Sequence, residues 1–204
     1  MVDLYTWRTL NGFKPLILVE ELGIDYTLKP IRIDGQQKSE AFLQINPNGR
    51  IPALVDHLAN GEPVTVFESG AMLIYLAEKA GQFLPPVDQP QARASVMSWL
   101  MFQMGGVGPI FGQLGYARRL EEPPQVRQRF EKEVMRLHMV MNTQLGKTEY
   151  LAGDYSIADM AIFPWTSRPG YVNMPLDDFP NIKRWEDAIV ARPAVQRALA
   201  TQFE

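Results

Sequence analysis

Three prolines within eight residues, at 83–90, divide this 204-residue chain into two parts with different hydrophobic periodicity. Proline lacks a backbone donor and fixes φ, so such a stretch interrupts regular structure. Upstream of it, strand-like and helix-like patterns alternate, whereas downstream only helical periodicity is evident. The sequence therefore predicts two domains, residues 1–82 and 91–204, with a linker at residues 83–90.

The first part predicts the order βαβ, a connecting helix, then ββα. Strand patterns cover residues 2–6, 25–33, 53–57 and 64–68, and helical patterns cover residues 11–23, 39–46 and 69–81. Asn11 and Ser39 are the predicted N-caps, Gly23 is a helix stop, and Asn60-Gly61 is a hairpin signal. This order favours a four-stranded mixed sheet with helices on its faces, so the fold class is α/β followed by all-α.

The second part predicts an all-helical domain. Its clearest buried stripe has helical spacing: Val126, Phe130, Val134, Leu137, Met141 and Leu145. A long helix from near Gln91 is interrupted by glycines at 105, 106, 108 and 112 and by Pro109. We interpret this as a kink with close backbone approach at a ligand cleft or dimer seam, the alternative being a plain packing kink. Ser156 and Asp159 have the spacing of a capping box, which is favoured over a catalytic pair.

Composition excludes several classes of function. The chain has no cysteine, which rules out a protein disulfide, a thiolate metal ligand and a catalytic cysteine. Its two histidines are far apart in sequence, so no metal site is expected. The 20 basic residues are dispersed among 23 acidic ones, with no patch for nucleic acid or an anionic membrane. The N terminus lacks a signal-peptide pattern, so we expect a cytoplasmic protein.

Three segments of the first domain are expected to converge on a ligand. Pro52 precedes a strand, a position where a cis bond turns the backbone of Ile51 outward. Glu68 and Ser69 lie at the start of a helix, whose free N–H groups and dipole attract carboxylates and thiolates. The segment Thr9–Gly12 joins the first strand to the first helix. The combination suits a small peptide with an amine, a carboxylate and a thiol.

The segments NPNGRIPALVD (46–56), VFESGAMLIYLAEK (66–79) and YSIADMAIFPW (155–165) resemble those of the cytosolic glutathione transferases. The pattern TxNG at Thr9–Gly12 and the segment QMGGVGPIFGQ (103–113) are similar to the bacterial Nu class. The resemblance implies a thioredoxin-like first domain, glutathione as substrate or cosubstrate, a homodimer, and reduction of small disulfides without a protein cysteine.

The resemblance also implies site residues. Glutathione contacts would fall on Asn11, Lys38, Arg50, Ile51, Pro52, Glu68, Ser69 and Arg129. Thr9 and Asn11 would be catalytic, because no Cys or Ser follows the first strand directly and Tyr5 lies inside it. Helix capping is the alternative for both. For Arg129 the alternative is a surface pair with Glu133, and the sequence leaves open which subunit of a dimer it would serve.

Two other functions remain open at this point. One is conjugation of glutathione to apolar electrophiles or reduction of organic hydroperoxides, which would use the same thiolate. The other is a non-catalytic interaction module, because a fold does not fix a function.

Overall fold

The computed structural model describes residues 1–58, 61–167 and 176–203. The chain divides into two compact units, Met1–Leu84 with Arg192–Glu204, and Pro85–Ala191. Each unit has its own core.

The first unit is built on a four-stranded mixed sheet, as predicted. Its strands are β1 (Val2–Thr6), β2 (Tyr26–Pro30), β3 (Ala53–Asp56) and β4 (Val64–Phe67), in the order β2-β1-β3-β4. Strand β1 runs parallel to β2 and antiparallel to β3, and β3 is antiparallel to β4. Strand β2 is shorter than the predicted 25–33, and the predicted turn residue Asn60 lies outside the described residues.

Three helices follow these strands: α1 (Leu10–Leu22), α2 (Glu40–Leu43) and α3 (Ser69–Ala80). Ser39 caps α2 as predicted, and Gly23 ends α1 with φ of 62°. The prediction that Asn11 caps α1 is wrong. The cap is Thr9, whose hydroxyl accepts a hydrogen bond from the N–H of Gly12 over 3.0 Å. The helix begins earlier because Leu10 is itself buried against the core.

The second unit is helical in its described residues. Its helices are α4 (Pro90–Phe102), α5 (Gly108–Arg119), α6 (Pro124–Leu145), α7 (Ile157–Thr166) and α8 (Pro180–Val190). The α6 stripe is buried only from Val134 onward, since Val126 is 39% exposed. No helix in the described ranges is both long and apolar enough to cross a bilayer.

A π-helical turn, Gln103–Val107, joins α4 to α5 where the sequence predicted a kink. A Cβ on Gly108 would lie 2.6 Å from Nε2 of Gln103, five residues earlier, so the close contact there is local, and a ligand cleft or dimer seam at this point stays a prediction. At Gly105 a Cβ would meet no atom within 4 Å. The extra residue of the π turn therefore explains the interruption, and Pro109 falls in the first turn of α5, where proline is tolerated.

The capping box at the start of α7 is confirmed. Oδ2 of Asp159 accepts a hydrogen bond from the N–H of Ser156 over 3.0 Å. Oδ1 accepts from the N–H of Leu151 and from Nε1 of Trp185. Burial raises the pKa of Asp159 to about 6, while these donors act in the opposite direction. The Ser/Asp pair is a structural element of the helical unit.

The last helix, α9 (Pro193–Ala200), packs against α1 of the first unit. Two ion pairs accompany this contact, from Arg192 to Glu21 over 2.6 Å and from Arg197 to Glu20 over 2.7 Å. The sequence had placed these residues in the helical domain, 91–204. The difference arises because helical periodicity shows that a helix has an apolar face, but not which domain that face contacts.

Candidate functional site

The site begins at the Ile51–Pro52 peptide bond, which is cis as predicted. Pro52 is buried and Ile51 is half-buried, immediately before β3. Among the described residues, the backbone of Ile51 forms no hydrogen bond in a helix, a strand pairing or a turn. Its N–H and C=O are therefore available just before the start of β3, a central strand of the sheet.

Asn46 shapes the loop before this bond, and sequence reasoning missed it. Its side chain is 2% exposed, its Nδ2 donates to the carbonyl of Arg50 over 2.5 Å, and its Oδ1 accepts from the N–H of Asn48 over 2.9 Å. The signal was present, because Asn-Pro-Asn-Gly has the composition of a turn held by asparagine side chains. Asn46 thus positions Arg50 and the residues that follow it.

The N-terminus of α3 forms the next wall. Ser69 is its first residue and is 6% exposed. Glu68 precedes it with φ of 70°, a backbone conformation that side-chain-bearing residues rarely adopt. Nδ2 of Asn48 donates to Oε1 of Glu68 over 3.4 Å. Such an outlier is typical of functional sites, where the surrounding structure holds a residue in an unfavourable conformation.

Lys14 lies beneath Ser69 and was also missed. It is 1% exposed, and its Nζ donates to Oγ of Ser69 over 3.4 Å. Burial lowers the pKa of Lys14 to about 7, and the charge of Glu68 acts in the opposite direction. In the sequence it was a single polar residue inside an apolar helical pattern, which was its only signal.

The loop after β1 and the start of α1 bring Thr9 and Asn11 beside Ile51. A Cβ on Gly12 would overlap the carbonyl oxygen of Trp7 and lie 2.6 Å from Oγ1 of Thr6. Oγ1 of Thr6 in turn donates to the carbonyl of Gly12 over 3.1 Å. Only glycine allows the helix start to approach the loop this closely, and the approach fixes the position of Thr9.

Two neighbouring cavities are lined by the predicted site residues of this unit. The larger, of about 410 Å³, is lined by Thr9, Asn11, Ile33, Gln37, Lys38, Gly49, Arg50 and Ile51. The smaller, of about 130 Å³, is lined by Asn11, Asn46, Asn48, Arg50, Ile51, Pro52, Glu68 and Ser69. Nζ of Lys38 donates to the carbonyl of Asn48 over 3.1 Å. The larger cavity therefore has cationic side chains on one wall, and the smaller has an acidic side chain beside a helix N-terminus.

Arg129 is the one predicted site residue outside this unit. It is exposed on α6, in the helical unit. The alternative pairing does not occur, since Glu133 is paired with Arg136 over 2.6 Å. Its role stays a prediction. No cluster of three or more His, Asp or Glu side chains suited to a metal ion occurs in the described part of the chain.

Two family models match the sequence. The model "Glutathione S-transferase, N-terminal domain" matches residues 1–78, and "Glutathione S-transferase, C-terminal domain" matches residues 103–193. Together they cover most of the chain. The protein belongs to the glutathione S-transferase family. The family predicted from the three sequence motifs is thereby confirmed, and so is the fold, an α/β domain followed by a helical one.

Relatives of this glutathione S-transferase are similar along almost its whole length. Disulfide-bond oxidoreductase YfcG of Escherichia coli is 41% identical, over 98% of this chain and 94% of the relative. Disulfide-bond oxidoreductase YghU of the same organism is 38% identical, over 96% of this chain and 73% of the relative.

Solved structures of the family are equally similar. A glutathione transferase family member from Pseudomonas fluorescens with two glutathione molecules bound has a TM-score of 0.91 and 40% identity, covering 97% of this chain and 92% of that one. A glutathione transferase from Pseudomonas putida with one glutathione disulfide bound per subunit has a TM-score of 0.90 and 39% identity, covering 97% and 90%.

Proposed function

We propose that this glutathione S-transferase binds glutathione in the two cavities of its first unit and uses it to reduce small disulfides. The observation that carries the proposal is the meeting of three features around two neighbouring cavities: the N–H and C=O of Ile51, an acid and a hydroxyl at Glu68 and Ser69, and the polar pair Thr9 and Asn11. The names of the two bacterial relatives support disulfides as substrates.

Each end of glutathione has a matching group. The γ-glutamyl ammonium would pair with Glu68, and its carboxylate would accept hydrogen bonds from Ser69 and the N-terminus of α3. The cysteinyl backbone would pair with the N–H and C=O of Ile51, beside Pro52. The glycyl carboxylate would lie near Lys38 and Arg50 on the larger cavity's wall. This orientation directs the thiol towards Thr9 and Asn11.

Thr9 and Asn11 would stabilise the thiolate. A free thiol has a pKa near 8.5, and lowering it by about two units requires about 2.7 kcal/mol of preferential anion stabilisation. A helix N-terminus supplies about 0.3–1 kcal/mol. One hydrogen bond to a charged group supplies about 1.5–3 kcal/mol, enough for the rest. The chain itself contributes no sulfur nucleophile because it has no cysteine.

The exchange then takes two steps. The glutathione thiolate attacks one sulfur of the disulfide, forming a mixed disulfide and expelling a thiolate, which takes up a proton. A second glutathione thiolate attacks the glutathione sulfur of the mixed disulfide. Glutathione disulfide and a second thiol leave, so two glutathione molecules are oxidised for each disulfide reduced. This chemistry fits a reducing compartment, and we propose that the protein acts in the cytoplasm.

We further propose that the protein is a homodimer and that Arg129 reaches the ligand of the neighbouring subunit. Large apolar side chains are exposed on the helical unit, at Met101, Tyr116, Leu120, Met135 and Met139. Arg129→Ala should then weaken binding of glutathione disulfide more than binding of glutathione. Equal losses for both ligands, or none, would leave Arg129 an ordinary surface residue.

Calorimetry and parallel rate measurements test the main proposal. Wild-type protein should bind glutathione, and Ser69→Ala should bind it about 10- to 100-fold more weakly. Rates with 2-hydroxyethyl disulfide should exceed those with cumene hydroperoxide and with an aryl halide. A higher rate with either of the last two would favour peroxidase or transferase activity. Binding without any of the three activities would favour an interaction module.

A further inference from the structure

We propose that Lys14 is a positioning residue for the γ-glutamyl carboxylate of glutathione, acting through the hydroxyl of Ser69; this rests on the proposed function. Lys14 lines neither cavity, whereas Ser69 lines the smaller one. The lysine therefore acts on the ligand indirectly, from a buried position next to a residue that lines the site. The site residues predicted from sequence motifs did not include Lys14.

Burial of Lys14 is the first feature that indicates such a role. Lys14 is 1% exposed and lies on α1 between Phe13 and Pro15, both buried. Lysine is almost never fully buried unless it is paired, because removing an ammonium from water is costly. Methionine of similar length would fill the same space without that cost. A lysine at this position therefore indicates a need for its charge or its donors.

The direction of the hydrogen bond between Lys14 and Ser69 is the second feature. Nζ of Lys14 donates to Oγ of Ser69 over 3.4 Å, so one lone pair of the hydroxyl is occupied. An ammonium can only donate, and a serine hydroxyl has one hydrogen to give. With Lys14 behind it, that hydrogen is turned away from the lysine and towards the cavity that Ser69 lines. Lys14 thus sets Ser69 as a donor, which is the role a ligand carboxylate requires.

The charge of Lys14 is the third feature. A positive charge in a poorly solvated position acts on a neighbouring anion more strongly than the same charge in water. Burial lowers the pKa of Lys14 to about 7, and the negative charge of Glu68 opposes that shift. A bound carboxylate on Ser69 adds a second negative charge nearby, which favours the ammonium form further. Lysine and ligand therefore stabilise each other's charge.

The test separates the carboxylate from the rest of the ligand. Binding of glutathione is compared by calorimetry with binding of 4-aminobutyryl-cysteinyl-glycine, which is glutathione without its γ-glutamyl carboxylate. Lys14→Met should weaken glutathione binding about 10- to 100-fold and leave the analogue within about 2-fold. In a Ser69→Ala background the same substitution should cost much less, since the two residues act as one unit. Lys147→Met, at an exposed lysine, is the matched control.

Three other results would contradict the proposed role of Lys14. Unchanged glutathione binding by Lys14→Met, or equal losses for glutathione and the analogue, would overturn the inference while leaving the proposed function intact. Lys14→Gln repeats the test with a polar neutral side chain if the methionine variant does not fold. If neither variant folds, Lys14 is a structural residue and the inference is wrong. If wild-type protein binds no glutathione, the proposed function fails and the inference fails with it.

Discussion

The hydroxyl of Thr9 accepts a hydrogen bond from the backbone N–H of Gly12 over 3.0 Å. This bond uses a lone pair of the hydroxyl and leaves its hydrogen free to be donated. Capping and thiolate stabilisation, which the sequence presented as alternatives for Thr9, are therefore compatible in one side chain. The cap also fixes the side chain against the helix start, so that its orientation is set before a ligand arrives.

Thr9→Asp and Thr9→Ala separate the two roles. Aspartate is a good N-cap but cannot donate when ionised, so Thr9→Asp should keep the stability and slow disulfide reduction. Thr9→Ala should lose about 1 kcal/mol of stability and raise the pKa of bound glutathione by about one unit. An ultraviolet titration of the bound thiol and urea unfolding measure the two effects. A wild-type titration curve in both variants would place the thiolate elsewhere.

Glu68 should show a conflict between stability and binding. Its φ of 70° is unfavourable for a residue with a side chain and acceptable to glycine. Glu68→Gly should therefore raise the free energy of unfolding by about 1 kcal/mol while weakening glutathione binding about 10- to 100-fold. Glu68→Gln, which keeps the strain, should weaken binding without the gain in stability. A loss of stability in Glu68→Gly would show that the conformation carries no strain.

Gly49 leaves the space in which the side chain of Lys38 packs against the loop, because it has no Cβ. A Cβ at position 49 would lie 2.8 Å from Nζ of Lys38, and the residue has φ of 60°. Gly23 has φ of 62° and no atom within 4 Å of its Cβ position, so Gly23→Ala is a matched control. Both alanine variants should lose about 1–2 kcal/mol of stability. Only Gly49→Ala should also weaken glutathione binding in calorimetry; equal affinity in the two variants would exclude Lys38 from the site.

The architecture was predictable because it depends on local patterns. Alternating and helical periodicities gave the sheet and its helices, and a proline before a strand gave the cis bond at Pro52. The cap of α1 was displaced from Asn11 to Thr9 because a helix boundary depends on packing of Leu10 that the local pattern does not contain. The attachment of α9 to α1 was missed for a similar reason, since an amphipathic helix does not specify its partner.

The residues that line the two cavities were predictable where a sequence motif contained them. Thr9, Lys38, Arg50 and Ser69 line the cavities that the segments around them form. Lys14 was not found, because a lysine among apolar helix residues usually extends its ammonium to solvent. Only the tertiary packing of α1 against α3 shows that it points inward at Ser69.

Asp159 should be the most sensitive position of the helical unit. Its carboxylate accepts from the N–H groups of Ser156 and Leu151 and from Nε1 of Trp185, all in the core. Asp159→Ala leaves these donors unsatisfied, so we expect a loss of about 3 kcal/mol or more in urea unfolding. Asp154→Ala, at an exposed aspartate, should change stability by less than about 0.5 kcal/mol. Comparable losses in both variants would contradict a special role of the buried carboxylate.

The last prediction concerns pH and Lys14. Burial lowers its pKa in the folded protein to about 7 from the ordinary value of 10.5, so between these values the unfolded chain binds more protons than the folded one. Stability should therefore rise with pH across about pH 7–10, by up to about 4 kcal/mol for this group alone. Lys14→Met lacks the group and should not show this rise. The unfolding free energy of the variant minus that of the wild type should therefore fall over that range. Urea unfolding of both proteins at pH 7, 8.5 and 10 measures the difference, and a constant value would mean that Lys14 titrates alike in the folded and unfolded chains.

Saturating glutathione should shift the rise in stability to higher pH in wild type, because a bound carboxylate favours the ammonium form of Lys14.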